Sequence, residues 1–147
     1  MTLQDICALP VMDICAPDCG LFLWVTFPML REAFEVIDTW GFTYKTCAFV
    51  WLKTNRTNNN YRMGLGNWTR ANAEFCLFAK KGHPQRQSAS VHQVIEAPIT
   101  RHSEKPNEAR QRIVELMGDL PRIELFAREK RPGWDVWGNE IQSDIVF

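Results

Sequence analysis

Hydrophobic residues along the chain alternate between strand-like and helix-like spacing, and this alternation predicts an α/β fold. Residues 20–26 contain a continuous apolar run, which is typical of a strand buried on both faces within a parallel sheet. A helix should follow from Pro28 to Gly41, and residues 44–53 are rich in β-forming types. The apolar positions of this helix recur at helical spacing: Leu30, Ala33, Phe34, Ile37 and Trp40. Strand, helix and strand together predict a βαβ unit.

Further elements lie on either side of this unit. Thr2 is placed to cap a short helix, with Asp5 at the capping-box position. Residues 73–80 predict a third strand, and residues 91–97 predict a fourth, shorter one. No internal repeat or linker interrupts the chain, so we expect a single domain over residues 1–147, with residues 141–147 as a tail.

A second amphipathic helix and a final strand complete the pattern. The helix should begin at Pro106 and end at Gly118, with Arg110 facing solvent. Residues 122–128 then predict a short buried strand that follows directly on this helix. Ligands of open α/β sheets bind beyond the carboxyl ends of strands, which here means Arg128 and the residues after it.

Residues 54–70 form a long polar loop rich in asparagine and arginine. A loop of this length is either disordered or a binding segment. Its candidate contacts to nucleic acid or to a partner subunit are Lys53, Asn55, Arg62, Trp68 and Arg70. A second basic patch spans residues 80–86.

Composition limits the classes of function. Seventeen basic and seventeen acidic residues cancel, so no global charge attracts nucleic acid or membrane. Five cysteines are an odd number, which disfavours a disulfide framework and predicts reduced thiols in a cytoplasmic protein. Cys15 and Cys19 are a weak metal-site candidate without paired histidines, so we predict no metal. The sequence shows no signal peptide and no apolar run long enough to span a bilayer.

Three features point to a small-molecule site. Residues 102–106 lead into a predicted helix N-terminus, where Lys105 and free backbone N–H groups suit an anionic group. Arg128 stands at the end of the following strand, and Asn139 and Glu140 offer groups that recognise hydroxyls or an adenine edge. Each is individually compatible with an ordinary surface role. Together they predict a pocket for a ligand with both a carboxylate and a nucleoside.

Eight further motifs follow one another in order, at residues 21–26, 40–42, 50–55, 64–70, 73–77, 102–108, 123–128 and 134–140. Together they resemble the motifs of the MT-A family, and the resemblance runs from Thr2 to Glu140. Members of that family are methyltransferases that transfer a methyl group from S-adenosylmethionine to the exocyclic amine of adenine in DNA or RNA.

The resemblance implies a Rossmann-like methyltransferase sheet with helices on both faces. It also implies that Lys105 contacts the methionine carboxylate, that Phe126 and Arg128 line the nucleoside end, and that Asn139 and Glu140 contact ribose and adenine. Some family members carry glutamine where this chain has Glu140. The family's polar loop, matching residues 54–70, helps to form an interface with a partner subunit or with the substrate.

One departure bears on catalysis. The family's acceptor motif, Asp-Pro-Pro-Trp, does not occur in the 147 residues, so we assign no catalytic residue. We also expect an N-terminally incomplete sheet. Such a sheet should self-associate through its exposed edge. Two interpretations follow: an adenine methyltransferase subunit inactive as this stretch of chain, or a non-catalytic partner subunit or nucleic-acid-binding module. An in-frame Asp-Pro-Pro-Trp encoded upstream would favour the first.

Overall fold

The computed structural model describes residues 1–101 and 104–147 and has a mixed α/β architecture. Two short 3₁₀ turns span Val11–Ile14 and Phe27–Met29. The helices and strands are α1 (Leu3–Ala8), β1 (Cys19–Val25), α2 (Leu30–Thr39), β2 (Thr43–Thr54), β3 (Ala73–Lys81), β4 (Val94–Pro98), α3 (Asn107–Met117), β5 (Ile123–Leu125) and β6 (Asp135–Trp137).

The four longest strands form one mixed sheet in the order β1-β3-β2-β4. β3 pairs antiparallel with both β1 and β2, whereas β2 pairs in parallel with β4. β1 and β2 therefore run in the same direction, as the predicted βαβ unit requires, but β3 lies between them.

The prediction that β1 is buried on both faces within a parallel sheet is wrong. β1 lies at the edge of the sheet and pairs only with the antiparallel β3 among the described strands. Six of its seven residues are half-buried, and only Val25 is buried. The apolar run predicted burial but not position, because strand order is set by contacts distant in sequence.

Helices cover both faces of the sheet, which confirms the predicted fold class. α1 and α2 pack on one face, where Ile37 and Trp40 meet Leu77 of β3. The Trp40 indole N–H donates to the Ile6 carbonyl at 2.9 Å and joins the two helices. On the other face, Ala109 of α3 packs against a core that includes Trp51 and Cys76. Leu77 and Cys76 are neighbours and so point to opposite faces.

Local signals at the helix ends also match the structure. The Thr2 hydroxyl accepts from the Asp5 N–H at 3.1 Å, and the Thr2 N–H donates to the Asp5 carboxylate at 3.0 Å, which completes the capping box. Gly41 and Gly118 follow α2 and α3 with φ of +83° and +88°, conformations that favour glycine.

The last two strands form a separate parallel pair, β5-β6. The strand predicted over residues 122–128 is shorter and only half-buried, since Phe126 adopts a φ of 59° that turns the backbone away from β geometry. The prediction that Arg110 faces solvent is also wrong. Its guanidinium pairs with Glu124 of β5 at 2.7 Å and is 14% exposed.

Candidate functional site

A buried carboxylate joins two lysines that the sequence assigns to different roles. Glu74 of β3 is 6% exposed and is the only charged residue buried in the described part of the chain. Lys105 Nζ lies 2.7 Å from one carboxylate oxygen, and Lys53 Nζ lies 2.8 Å from the other. The predicted donor-site lysine and the predicted loop lysine therefore belong to one cluster.

Two tryptophans form the apolar wall of this lysine–glutamate cluster. Lys53 Nζ lies 5.2 Å from the ring centre of Trp51, and Lys105 Nζ lies 5.7 Å from that of Trp24. The two indoles meet edge to face at 6.2 Å. Cation–π attraction thus adds to the ion pairs in fixing both ammonium groups.

The charge state of Glu74 follows from two opposed effects. Burial raises the pKa of Glu74, but hydrogen bonds from Lys105 and then Lys53 outweigh burial, so the pKa is lowered overall. Glu74 is therefore an anion at neutral pH, and the cluster of two lysines and one glutamate carries a net charge of +1.

The sequence patterns did not predict Glu74 as a member of the candidate site. The signal was present, because Glu74 stands between Ala73 and Phe75 within a strand that is otherwise largely apolar. A carboxylate inside a buried strand requires a compensating cation. The identity of those cations depends on contacts 21 and 31 residues away, which the sequence alone does not give.

The other predicted donor-site residues follow the carboxyl ends of β5 and β6. The Ala127 N–H donates to the Trp137 carbonyl at 3.0 Å, so the two strand ends are adjacent. A Cβ on Gly138 would lie 2.3 Å from the Ala127 carbonyl oxygen, so only glycine permits this approach. The pairs Phe126 and Arg128, and Asn139 and Glu140, are thereby brought to one end of the strand pair.

Phe126 is strained and exposed at this end. It is the one non-glycine residue with a positive φ in the described part of the chain, and its side chain remains 45% exposed. Its ring meets Trp137 edge to face at 5.4 Å. Backbone outliers of this kind cluster at functional sites.

An ion-pair chain connects this end to the loop that carries Lys105. Arg101 pairs with Glu104 at 2.7 Å and also with Glu129, which follows Arg128. The hydrogen bond to Glu104 raises the pKa of Arg101, and the charges of Glu129 and, more weakly, Glu140 act in the same direction. His102 and Ser103 of the predicted anion-binding loop lie outside the described residues.

The asparagine-rich loop, residues 54–70, has a hydrogen-bonded base and an exposed tip. At the base, the Arg62 N–H donates to the Lys53 carbonyl at 2.7 Å, and the Asn55 amide donates to the Asn58 side chain at 3.2 Å. At the tip, Trp68 is 98% exposed, and Arg70 is exposed as well. The structure thus brings Arg62 next to Lys53, whereas Trp68 and Arg70 are exposed.

Metal binding and membrane insertion each require a recognisable feature in residues 1–101 and 104–147. No group of three or more metal-binding side chains occurs there. None of the helices there has the length and apolar character needed to cross a bilayer. All five cysteines are free thiols.

The mixed sheet with helices on both of its faces is consistent with a methyltransferase-like fold. The family model MT-A70 matches residues 1–140, and the chain belongs to the MT-A70 family of adenine-N6 methyltransferases. This confirms the resemblance read from the eight motifs.

Named relatives support the assignment. Type II methyltransferase M.MunI from Mycoplasma sp is 38% identical over 148 aligned residues, covering 99% of this chain and 60% of that protein. The human N(6)-adenosine-methyltransferase catalytic subunit METTL3 is 34% identical over 127 residues, covering 84% of this chain and 22% of that protein. An MT-A70-like N(6)-adenosine-methyltransferase from Arabidopsis thaliana is 32% identical over 126 residues, 18% of its length. The chain thus spans at most about three-fifths of these relatives.

Proposed function

We propose that this chain provides the donor-binding part of an S-adenosylmethionine-dependent methyltransferase that acts on the exocyclic amine of adenine in DNA or RNA. The observation that carries this proposal is the lysine–glutamate cluster, whose Lys105 loop is joined to the end of β5-β6 by the Arg101–Glu129 ion pair. Membership of the MT-A70 family over residues 1–140 supports the proposed chemistry.

The lysine–glutamate cluster suits the methionine end of the donor. Its net charge of +1 is complementary to one carboxylate. An ammonium group has three N–H donors, and each lysine gives one hydrogen bond or ion pair to Glu74. Lys105 can therefore keep Glu74 and still donate to a donor carboxylate, so the residues present fit this group.

The end of β5-β6 suits the nucleoside. Phe126 offers an exposed ring for stacking on adenine, and Arg128 lies beside it. Asn139 and Glu140 are exposed where β6 ends and carry amide and carboxylate groups for ribose hydroxyls and the adenine edge. The Arg101–Glu129 pair keeps this end close to the Lys105 loop.

When bound, S-adenosylmethionine supplies the electrophilic methyl group. The residues named above bind and orient it, but transfer also needs an aligned acceptor amine. The family's acceptor motif does not occur in these 147 residues. We therefore expect the isolated chain to transfer no methyl group to adenine, and tritium from labelled donor appearing in DNA or RNA would contradict this.

Calorimetry tests donor binding directly. Titration of S-adenosylmethionine into the chain should give weak, saturable binding, and Lys105→Ala and Arg128→Ala should each weaken it about five- to tenfold. Lys45→Ala and Arg31→Ala are matched controls, because both side chains are exposed and remove the same charge. Neither control should change the affinity.

Two results would contradict the donor site. One is the absence of saturable binding at millimolar ligand while circular dichroism shows a folded chain. The other is equal weakening by the test and control variants, which would indicate a general effect of positive charge.

A second function is favoured by the exposed tip of the asparagine-rich loop. Met63, Leu65 and Trp68 are 73%, 92% and 98% exposed, and large apolar side chains clustered in one loop are typical of a protein interface. In this alternative the chain is a non-catalytic partner subunit, forming a homo- or hetero-oligomer. Trp68→Ala should then reduce the sedimentation coefficient of the complex and leave donor affinity unchanged.

We also propose a cytoplasmic location. Five free thiols support it, since disulfides form in secreted proteins and reduced cysteines persist in the cytosol.

A further inference from the structure

A cavity of about 460 Å³ lies between α3 and the segment that joins β5 to β6. We call it the arginine cavity, because Arg110, Arg122 and Arg131 line it. The remaining lining residues are Asn107, Gln111, Val114, Pro132 and Trp134. Its size falls within the range of small-molecule sites.

Each of the three arginines leaves one buried nitrogen without a hydrogen-bond partner in the described part of the chain. These atoms are Arg110 Nη1, Arg122 Nε and Arg131 Nε, and only one further buried side-chain atom there is unpartnered, on Glu32. A buried donor without a partner is destabilising. Three guanidinium groups, each with an N–H donor that is not in use, therefore surround one cavity.

The carboxylates that pair with these arginines do not line the cavity. Asp119, Glu124 and Glu129 bind through other guanidinium nitrogens, at 2.9, 2.7 and 3.1 Å. Asp119 is also 93% exposed and so neutralises little of the charge. The wall itself contains three cations and no anion.

Two other features favour an anion. Asn107, the first residue of the eleven-residue helix α3, lines the cavity and carries a side-chain amide that can donate to an acceptor there. Arg122 also lies over the Trp134 ring, 5.5 Å from its centre. That contact holds the guanidinium in place before any ligand arrives.

We propose that the arginine cavity is a phosphate-binding site, with a nucleic-acid strand or a free nucleotide as the source of the phosphate. Guanidinium groups bind phosphate oxygens through paired N–H donors, and backbone phosphates supply most of the affinity for nucleic acid. The choice of a nucleic-acid strand as the source of the phosphate rests on the proposed function.

The cavity is separate from the candidate donor site. β5 and β6 are parallel; Arg122 and Trp134 precede these strands, whereas Phe126 and Asn139 follow them. The two sites therefore lie at opposite ends of one strand pair, and Glu129 links them by pairing with both Arg131 and Arg101. Donor binding and phosphate binding can be measured independently.

The test uses a fluorescein-labelled 20-nucleotide single strand and, in a second arm, adenosine monophosphate. Gln111 is exposed at the cavity wall, so Gln111→Glu places a negative charge there with all three arginines intact. Gln111→Lys places a positive charge at the same position, and Arg131→Gln removes one guanidinium group from the cavity wall. Arg31→Gln is the control for Arg131→Gln, because it removes the same charge from an exposed position of α2.

We expect Gln111→Glu and Arg131→Gln to weaken binding about tenfold, Gln111→Lys to strengthen it, and Arg31→Gln to change neither ligand's affinity. Arg131→Gln should also reduce the salt slope for the strand by about 0.7. These changes in the strand arm identify nucleic acid as the source, and changes confined to adenosine monophosphate identify a free nucleotide. Unchanged affinity for both ligands would overturn the site, whatever the result for S-adenosylmethionine.

Discussion

Replacing Glu74 with glutamine tests whether the lysine–glutamate cluster is a buried ion-pair network. The substitution keeps the volume of the side chain and removes its charge. It leaves Lys53 and Lys105 beside two tryptophans without their shared anion. Breaking a buried pair by removing one partner costs about 3–5 kcal/mol. Each lysine side chain is 23% exposed, so water compensates part of the loss.

We therefore expect Glu74→Gln to lower the free energy of unfolding by about 2–3 kcal/mol, which corresponds to a fall in melting temperature of about 5–10 °C. Urea denaturation followed by tryptophan fluorescence measures it. Glu35→Gln, at an exposed position of α2, is the control and should change stability by less than about 0.5 kcal/mol. Equal midpoints for Glu74→Gln and the parent chain would refute the buried network.

The same variant has a defined pH dependence. The pKa of Glu74 is lowered from its ordinary value of 4.5 in the folded chain, so the folded state favours the anion. The stabilisation is fully present above the unfolded pKa and is lost as pH falls through the lower, folded pKa. The stability difference between parent and Glu74→Gln should thus persist at neutral pH and shrink below about pH 4.5. A difference that grows on acidification would contradict the assigned sign.

Two further predictions concern strand ends and edges. Gly138→Ala should lower the free energy of unfolding by about 2 kcal/mol and weaken donor binding, because the new methyl group would meet the Ala127 carbonyl oxygen at 2.3 Å. Gly20→Ala is the control, since its methyl group would meet only side-chain atoms, at 3.2 Å. It should lower the free energy of unfolding by less in the same urea titration. The apolar edge of β1 has no strand partner on its outer side in the described part of the chain, so light scattering should detect self-association that survives Trp68→Ala; a monodisperse monomer would contradict it.

Local features of the fold were predictable because their causes lie within a few residues. The Thr2–Asp5 capping box and the glycines at 41 and 118 depend on backbone geometry close by in sequence. The boundaries of β2 and β3 differ from prediction by one residue or less at each end. The insertion of β3 between β1 and β2 was not predictable, because strand order depends on contacts distant in sequence.

The candidate site shows the same division. Motifs around Lys105, Phe126 and Asn139 predicted the donor-site residues, and the pairing of β5 with β6 brings Phe126 and Asn139 to one end of the strand pair. That Lys53 and Lys105 share Glu74 was not predictable, because the three residues are distant from one another in the chain. Arg110 fits the outer face of α3 by periodicity alone, yet its guanidinium pairs with Glu124 of β5, which packs beside that face only in the folded chain.

Nuclear magnetic resonance of the nitrogen-15-labelled chain tests the donor site most directly. On addition of S-adenosylmethionine, we expect backbone amide shifts concentrated at Lys105, at Phe126 to Arg128 and at Gly138 to Glu140, with the amide of Trp68 unchanged. Shifts confined to the asparagine-rich loop, or an unchanged spectrum at millimolar donor, would show that these residues do not form a donor site.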